Sequence, residues 1–340
     1  MLPPLHKTEH VSIIGQGNVA LDVAQMLLTP PNILEKYDVP TSMLDILCHS
    51  SVRHVSIIGR RGPLQAAFTT KELRELIKLP GASMIPLAHD IITPASGSKL
   101  TRQQSRTLQL LQQGSPTTTP THTSIPPTST KSWSLDFFRS PTGLSADGQH
   151  LTLAHTALDE NSRAMPTGSS SVLSTDLVVT ALGHHSDPLL AYYDPTLGHL
   201  RTDRGRVLDS TSRALRRIYA SGWAATGARG VLAATMIDAY AVADAILGDH
   251  FGDGPRSGAE AVPIRGEAYS DDTLVSDDVD LGSVPKAVEQ GIKERRVVQY
   301  GQWKKVDAEE MRRGEERSKE RERMGWEEVH EFLTNDGPVF

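Results

Sequence analysis

The segment VSIIGQGNVALDVAQML fills residues 11–27, and VSIIG returns at residues 55–59 as VSIIGRRGPLQAAF. Val11–Ile14 is a β-branched apolar run that ends in Gly15, and residues 18–28 place Val19, Val23, Met26 and Leu27 at positions i, i+4, i+7 and i+8. The first pattern is a buried strand and the second is one face of a helix. A strand, a tight glycine turn and a helix in that order direct the chain to an α/β fold. Gly15, Gly17 and Ala20 fit G-x-G-x-x-G/A between the two elements. Gly15 permits the tight turn, Gly17 lets the backbone approach a pyrophosphate, and Ala20 is small enough for helix to pack on strand. Free N–H groups and the helix dipole then favour phosphate at residues 17–20. The competing reading is a glycine-rich βα turn that holds nothing.

The second copy carries a different message. In a dinucleotide-binding unit the end of the second strand meets the adenosine ribose. A carboxylate there accepts from the 2′-hydroxyl of NAD, whereas arginine suits the 2′-phosphate of NADP. This chain has Arg60 and Arg61 at that point and no acid. Guanidinium groups form fork-like charged bonds to phosphate oxygens. One VSIIG therefore presents a pyrophosphate turn and the other a 2′-phosphate clamp, unless the arginines are only surface charge at a strand end. The second strand lies farther along the chain than usual, because residues 29–52 intervene.

The chain has 340 residues, enough for about two domains at ~100–200 residues each. Its 35 basic and 41 acidic side chains give a formal net charge of −6, which argues against a general nucleic-acid or membrane binder. Cys48 is the only cysteine, so no internal disulfide or thiolate cluster is available. No apolar run reaches the ~18 residues of a membrane span, and MLPPLHKTEH has neither the apolar core of a signal peptide nor the arginines of a mitochondrial presequence. His184 and His185 lack metal-spaced partners, and no Ser/His/Asp or Cys/His grouping has a local signature.

Further elements follow in order. A short helix is expected near residues 43–47, a charged amphipathic helix at 71–79 closed by Pro80 and Gly81, and another at 99–112. Residues 113–132 are rich in Thr, Pro and Ser and are expected to be a flexible insertion. Strands are expected at 133–138, 151–156, 176–183 and from 218, and an apolar helix at 231–249. Residues 253–283 suggest a loose connection, and 302–331 a solvated, ion-paired helical surface.

GQGNVALDVAQMLLTP, GRRGPLQAAFTTKELREL and SGWAATGARGVLAATMIDA, in that order, resemble the mitochondrial NADPH:adrenodoxin (ferredoxin) oxidoreductases. FFRSPTG, MPTG, ALGHHSDPL and QWKKVDAEE add to the similarity, which runs from about residue 8 to the end. The resemblance implies a Rossmann-like NADP-binding domain, residues 1–185, and the C-terminal part of a second, FAD-binding Rossmann-like domain, residues 186–252. A charged extension, 253–340, is expected to pack on the FAD domain. It also implies that Gln16, Gly17, Asn18, Val19 and Ala20 hold the NADP pyrophosphate region, that Arg60 and Arg61 hold the 2′-phosphate, and that Glu72 is a further NADP contact. Trp223, Gly230, Val231 and Leu232 match positions that touch FAD, with Gly230 also near the nicotinamide. From the residues alone, Gly227 and Gly230 open an apolar helix, which suits either a ring or phosphate at its N-terminus or plain core packing.

The family's activity would be hydride transfer from NADPH to FAD, then single electrons to a [2Fe–2S] ferredoxin of the adrenodoxin type. An acidic ferredoxin needs a local basic surface, and Lys99, Arg102 and Arg106, expected on one helix face, resemble the family's docking positions; ordinary solvated charge is the other reading. A mitochondrial location on the matrix side, with peripheral association to the inner membrane, is likewise implied by resemblance. The family's first Rossmann unit, with its own glycine fingerprint and flavin ribose carboxylate, finds no counterpart in these residues. The expectation is therefore that this polypeptide alone holds FAD poorly. The alternatives to a reductase are a non-catalytic NADP-binding module and a truncated product unable to hold flavin.

Overall fold

The structure, a computed structural model, describes residues 3–93, 99–115, 130–190, 192–228, 232–251, 269–270, 284 and 286–335. The chain forms two compact units: unit 1 is Met1–Leu182 with Arg295–Phe340, and unit 2 is Gly183–Glu294.

Unit 1 opens with β1 (His10–Ile14), α1 (Asn18–Leu28), the short α2 (Pro31–Leu34) and α3 (Thr41–Cys48). It continues through β2 (His54–Ile58), α4 (Thr70–Ile77), β3 (Ala82–Met84), α5 (His89–Ile92), α6 (Arg102–Gly114) and β4 (Lys131–Asp136). Then come β5 (Arg139–Leu144), β6 (His150–Leu158), β7 (Ala164–Ser174) and β8 (Leu177–Thr180). Five of these strands form a parallel sheet in the order β3-β4-β2-β1-β8. The two copies of the repeat are neighbours in register, with His10 opposite His54 and Ile14 opposite Ile58, so the repeat is in fact HVSII.

Alternation along the strands splits these residues between two faces. Val11, Ile13, Val55, Ile57, Trp133 and Leu135 share one core with Ala20, Leu21 and Leu28 of α1, Leu73 and Leu76 of α4, and Leu111 of α6. On the other face Ile14 and Ile58 pack with Leu151 and Leu153 of β6, which belongs to the antiparallel sheet β5-β6-β7. The chain leaves β1 for β2 on one side and returns as β8 on the other, so the first glycine turn lies where the strand order reverses. In open α/β sheets that crevice is where ligands bind.

Several expectations shift. The helix expected at 99–112 starts at Arg102, because Thr101 and Gln104 form a capping box: Gln104 N donates to Thr101 Oγ1 (3.2 Å) and Thr101 N to Gln104 Oε1 (2.9 Å). Lys99 therefore precedes the helix. Within the expected insertion 113–132, Gly114 ends α6 and Lys131 begins β4, while 116–129 lie outside the described residues. Most of the expected connection 253–283 lies outside them too.

Unit 2 holds β9 (Tyr193–Asp194) paired with β10 (His199–Leu200), and a sheet of β11 (Thr202–Asp203), β12 (Arg206–Leu208), β13 (Ala214–Tyr219) and β14 (Tyr269–Ser270). Its helices are α7 (Trp223–Thr226), α8 (Leu232–Phe251) and α9 (Lys286–Lys293). Arg206 fixes the end of α8 through a bidentate pair with Asp249 (2.7 and 2.6 Å), which also accepts from the Tyr219 hydroxyl (2.8 Å). Met236, Ile237 and Tyr240 of α8 are exposed, an apolar face turned to solvent.

The charged C-terminal run supplies α10 (Tyr300–Glu316) and α11 (Trp326–Asn335). The turn between these two helices fastens to the turn before α3, within unit 1. Thr41 donates to Glu322 through its N–H (2.9 Å) and its hydroxyl (3.0 Å), Lys319 Nζ donates to Val39 O (2.8 Å), and Arg323 pairs with Asp38 (3.1 Å). Lys319 and Glu322 form a buried ion pair. Burial alone would raise the Glu322 pKa, but Lys319 and the two Thr41 donors outweigh it and hold it at about 2 against an ordinary 4.5. A depressed carboxyl pKa stabilises the fold above the unfolded value and loses that contribution as pH falls through the folded one. We expect Glu322→Gln to flatten the acid limb between pH 4.5 and about 2 in equilibrium unfolding, and to leave the shape of the profile above pH 5 unchanged.

Candidate functional site

Gly15 has φ +130°, and a Cβ there would lie 2.2 Å from Ala181 O. Its N–H donates to Ile58 O (2.9 Å), while Ala181 N donates to Ile14 O (2.8 Å). The turn is thus wedged between the ends of β2 and β8, with no room for a side chain. Gly17 is the N-cap of α1, with extended backbone and nothing within 4 Å of a Cβ position. No side chain caps this helix, and Ala20 N donates to Gly17 O (3.1 Å), which leaves the N–H groups of Asn18 and Val19 for an outside acceptor. Ala20 is fully buried, as helix-on-strand packing demands, and Val19 points outward.

Two neighbours hold the turn in shape. Gln16 Nε2 donates to Ile57 O (3.2 Å), and Gln16 O accepts from Ala67 N (2.9 Å). Asn18 Oδ1 accepts from Thr69 N (2.8 Å) at the start of α4. The side chain at the first position of α1 therefore ties α1 to α4, a role that sequence spacing does not reveal.

The second turn follows β2. Its backbone is pinned on both sides: Gly59 N donates to Asp136 O (3.0 Å), Thr156 Oγ1 to Arg60 O (2.7 Å) and Phe138 N to Arg61 O (3.3 Å). The side chains of Arg60 and Arg61 are exposed, and neither enters an ion pair among the described residues. Fixed backbone with free guanidinium groups is what an incoming phosphate requires. Glu72, in the first turn of α4, has a buried Oε2 without a hydrogen-bond partner. Asp22 of α1 is near it, and burial first, then the charges of Glu72 and Glu75, push the Asp22 carboxyl up. An orphaned buried carboxylate oxygen is costly unless a donor arrives. The glycine cradle, the free arginines and this oxygen fit a dinucleotide that carries an extra phosphate.

Arg102 and Arg106 lie four residues apart on exposed positions of α6, while Lys99 stands outside the helix, so the three do not form one helical face. In unit 2, Trp223 is half exposed and stacks on His184 with ring centres 5.6 Å apart and planes at 22°. Asp238 of α8 holds the preceding turn, accepting from Ser221 Oγ (2.9 Å) and Gly222 N (2.7 Å). The His184 stack has no signature in sequence, because 38 intervening residues hide the proximity. Leu232 is the first residue of α8, and Gly230 and Val231 lie outside the described residues. Among the described residues no His, Cys, Asp and Glu cluster could hold a metal, and no helix is long and apolar enough to cross a membrane.

The two glycines of the first turn should respond oppositely to alanine. Gly15→Ala meets both a carbonyl and a positive φ, and should cost on the order of 2–4 kcal/mol in denaturant unfolding. Gly17→Ala meets neither and should stay within about 1 kcal/mol of the parent; equal losses would contradict this geometry.

No family model matches the chain. Individual relatives do. The mitochondrial NADPH:adrenodoxin oxidoreductase of Homo sapiens is 37% identical over 328 residues, 92% of this chain and 61% of the relative. The protein of the same name from Arabidopsis thaliana is 31% identical over 348 residues, 96% of this chain and 67% of the relative. Among solved structures, Mycobacterium tuberculosis FprA in complex with NADPH superposes with a TM-score of 0.74 at 25% identity, covering 97% of this chain and 69% of that one. The chain spans about three fifths of the length of the human relative. Similarity of this degree along nearly all of its residues means that the chain belongs to the NADPH:adrenodoxin oxidoreductase family.

Proposed function

We propose that the chain carries the NADP(H) site and part of the FAD site of an oxidoreductase that passes a hydride from NADPH to FAD and single electrons onward to a [2Fe–2S] ferredoxin. The observation that carries this reading is the pair of free guanidinium groups, Arg60 and Arg61, at the end of β2 beside the β1 glycine turn. Residues 17–20 hold the pyrophosphate, the N–H groups of Gly17, Asn18 and Val19 donating to it while the Ala20 N–H stays on Gly17 O (3.1 Å), with Gln16 and Asn18 holding the loop and Val19 and Ala20 completing the first turn. Arg60 and Arg61 bind the 2′-phosphate, and the orphaned Glu72 Oε2 accepts from a cofactor hydroxyl. Trp223 and Leu232, the first residue of α8, contribute the flavin side together with Gly230 and Val231, which precede Leu232 in sequence, Gly230 also serving the nicotinamide. A bound flavin supplies the conversion of a hydride into single-electron steps. The protein's own part is to bind, orient and screen; the hydride step itself calls for no acid or base.

Lys99, Arg102 and Arg106 form the docking surface for the acidic ferredoxin, Arg102 and Arg106 from α6 and Lys99 from the segment before it. The relatives' names support a mitochondrial setting, and we place the protein on the matrix side, peripheral to the inner membrane. A second reading, an NADP-binding module that holds no flavin, is favoured by the exposed Met236, Ile237 and Tyr240 in the unit that carries the proposed flavin residues.

Two measurements check these readings. A charged hydrogen bond contributes about 1.5–3 kcal/mol, so Arg60→Ala with Arg61→Ala should weaken NADPH by on the order of 10²-fold or more while NADH binding barely changes. Equal loss of both cofactors would refute the 2′-phosphate assignment. A visible flavin band that bleaches on anaerobic addition of NADPH supports the oxidoreductase. NADPH binding without any retained flavin, after FAD is supplied, supports the module.

A further inference from the structure

The HVSII repeat does more than build the glycine turns. It sets His10 and Ser12 of β1, and His54 and Ser56 of β2, on the sheet face opposite the helices. β4 extends both rows in register, Ser132 beside His54 and Ser134 beside Ser56, and Asp136 stands beside Ile58. A parallel sheet is normally apolar on both faces, so a polar ladder across three strands calls for a purpose. Toward β1 this face is sealed by Ile14 and Ile58 against Leu151 and Leu153. Toward β4 the parallel sheet and the antiparallel sheet part, leaving a cavity of about 330 Å³.

One wall of the cavity is polar: His54, Ser56, Ser134 and Asp136 from the parallel sheet, with Arg139 and Ser171 from the other. Leu153 and Leu173 of the antiparallel sheet face it with an apolar strip, and Val172 and Ile85, the latter next to β3 of the parallel sheet, complete the lining. The polar groups are linked. Ser134 Oγ donates to Asp136 Oδ2 (3.0 Å) and lies 3.3 Å from both His54 Nε2 and Ser56 Oγ, while His54 Nδ1 is 2.8 Å from Ser132 Oγ. Arg139 gives one N–H to Phe138 O (3.0 Å) and forms no ion pair among the described residues, so most of its donors stay free. Burial, then the nearby His10, lowers the His54 pKa to about 4 and keeps the ring neutral. Burial pushes Asp136 up, opposed by its hydroxyl donors and by Arg139.

The formal charges of this wall, one carboxylate and one guanidinium, offset each other. A charged ligand would gain at one and lose at the other. A neutral ligand whose hydroxyls both donate and accept satisfies both, and an apolar strip opposite suits its C–H face. The volume is at the low end of small-molecule sites, about 300–1,000 Å³, which suits a ligand of one ring. We propose that the cavity between the two sheets of unit 1 is a binding site for a small neutral polyol, separate from the glycine-turn site and independent of what that site binds.

Amide chemical shifts of the isotope-labelled chain, titrated with D-ribose and with myo-inositol, test this. The expected result is saturable shifts at residues 54, 134, 136, 139, 153 and 173. Asp136→Asn should weaken the response about tenfold or more, as loss of a charged acceptor implies. Ser171→Trp should abolish it: Ser171 lines the cavity and is half-buried, so a larger side chain there occupies the space. Arg60→Ala with Arg61→Ala should leave it intact. Shifts that never saturate, an equal response to acetate or methylammonium, or shifts centred on residues 15–20 would each overturn the proposal.

Discussion

One close approach organises unit 1: the backbone of Gly15 against the carbonyl of Ala181, at the distance where any Cβ would collide. Because β1 is flanked by β2 and β8, its exit must pass between two strand ends, and only a residue without a side chain at positive φ can make it. That turn aims α1 so that Ala20, Leu21 and Leu28 cover Val11, Ile13, Val55 and Ile57. It also brings Gly17 and the free N–H groups to the crevice at the strand reversal. The arginine turn is then placed by simple adjacency, since β2 is the in-register neighbour of β1. Anchoring by Asp136 O and Thr156 Oγ1 makes that turn rigid where its side chains are free.

The electrostatics of the chain are local. A net charge of −6 coexists with two exposed arginines at the β2 turn that form no ion pair among the described residues, and with exposed basic groups at Lys99, Arg102 and Arg106. Other basic groups are taken up in ion pairs. Lys319, Arg317 and Arg323 engage Glu322, Asp38 and Glu310, which fastens the C-terminal helices to the turn before α3. The run of residues 302–331 is therefore more than solvated surface, because Glu310 and Glu322 are buried among their partners.

What the sequence made legible follows from periodicity. β1, α1, β2, α4 and α8 were readable because an apolar strand core or a helical spacing leaves an unmistakable pattern, and the glycine and arginine turns came with them. β5 and β7 were not, because RSPTGL and AMPTGSSSVLS are polar, carry proline and glycine, and mostly face solvent. The amphipathic pattern of 99–112 takes Lys99 into a helix, yet the Thr101 capping box starts the helix later. In sequence Val11–Ile14 reads as an apolar run, and the alternate polar positions His10 and Ser12 gain meaning only when β4 supplies the next row. Contacts between distant residues, His184 on Trp223 or Asn18 on Thr69, have no local signature at all.

The central claim is that the arginine turn holds a 2′-phosphate while the glycine turn holds a pyrophosphate. Phosphorus NMR of NADP⁺ bound to the chain reads both at once. Two guanidinium groups favour the dianion, so the account predicts that the 2′-phosphate resonance moves on binding and titrates at a lower pH than in the free cofactor, together with a shift of the pyrophosphate resonances. A 2′-phosphate that keeps its free position and titration while the pyrophosphate moves would contradict it.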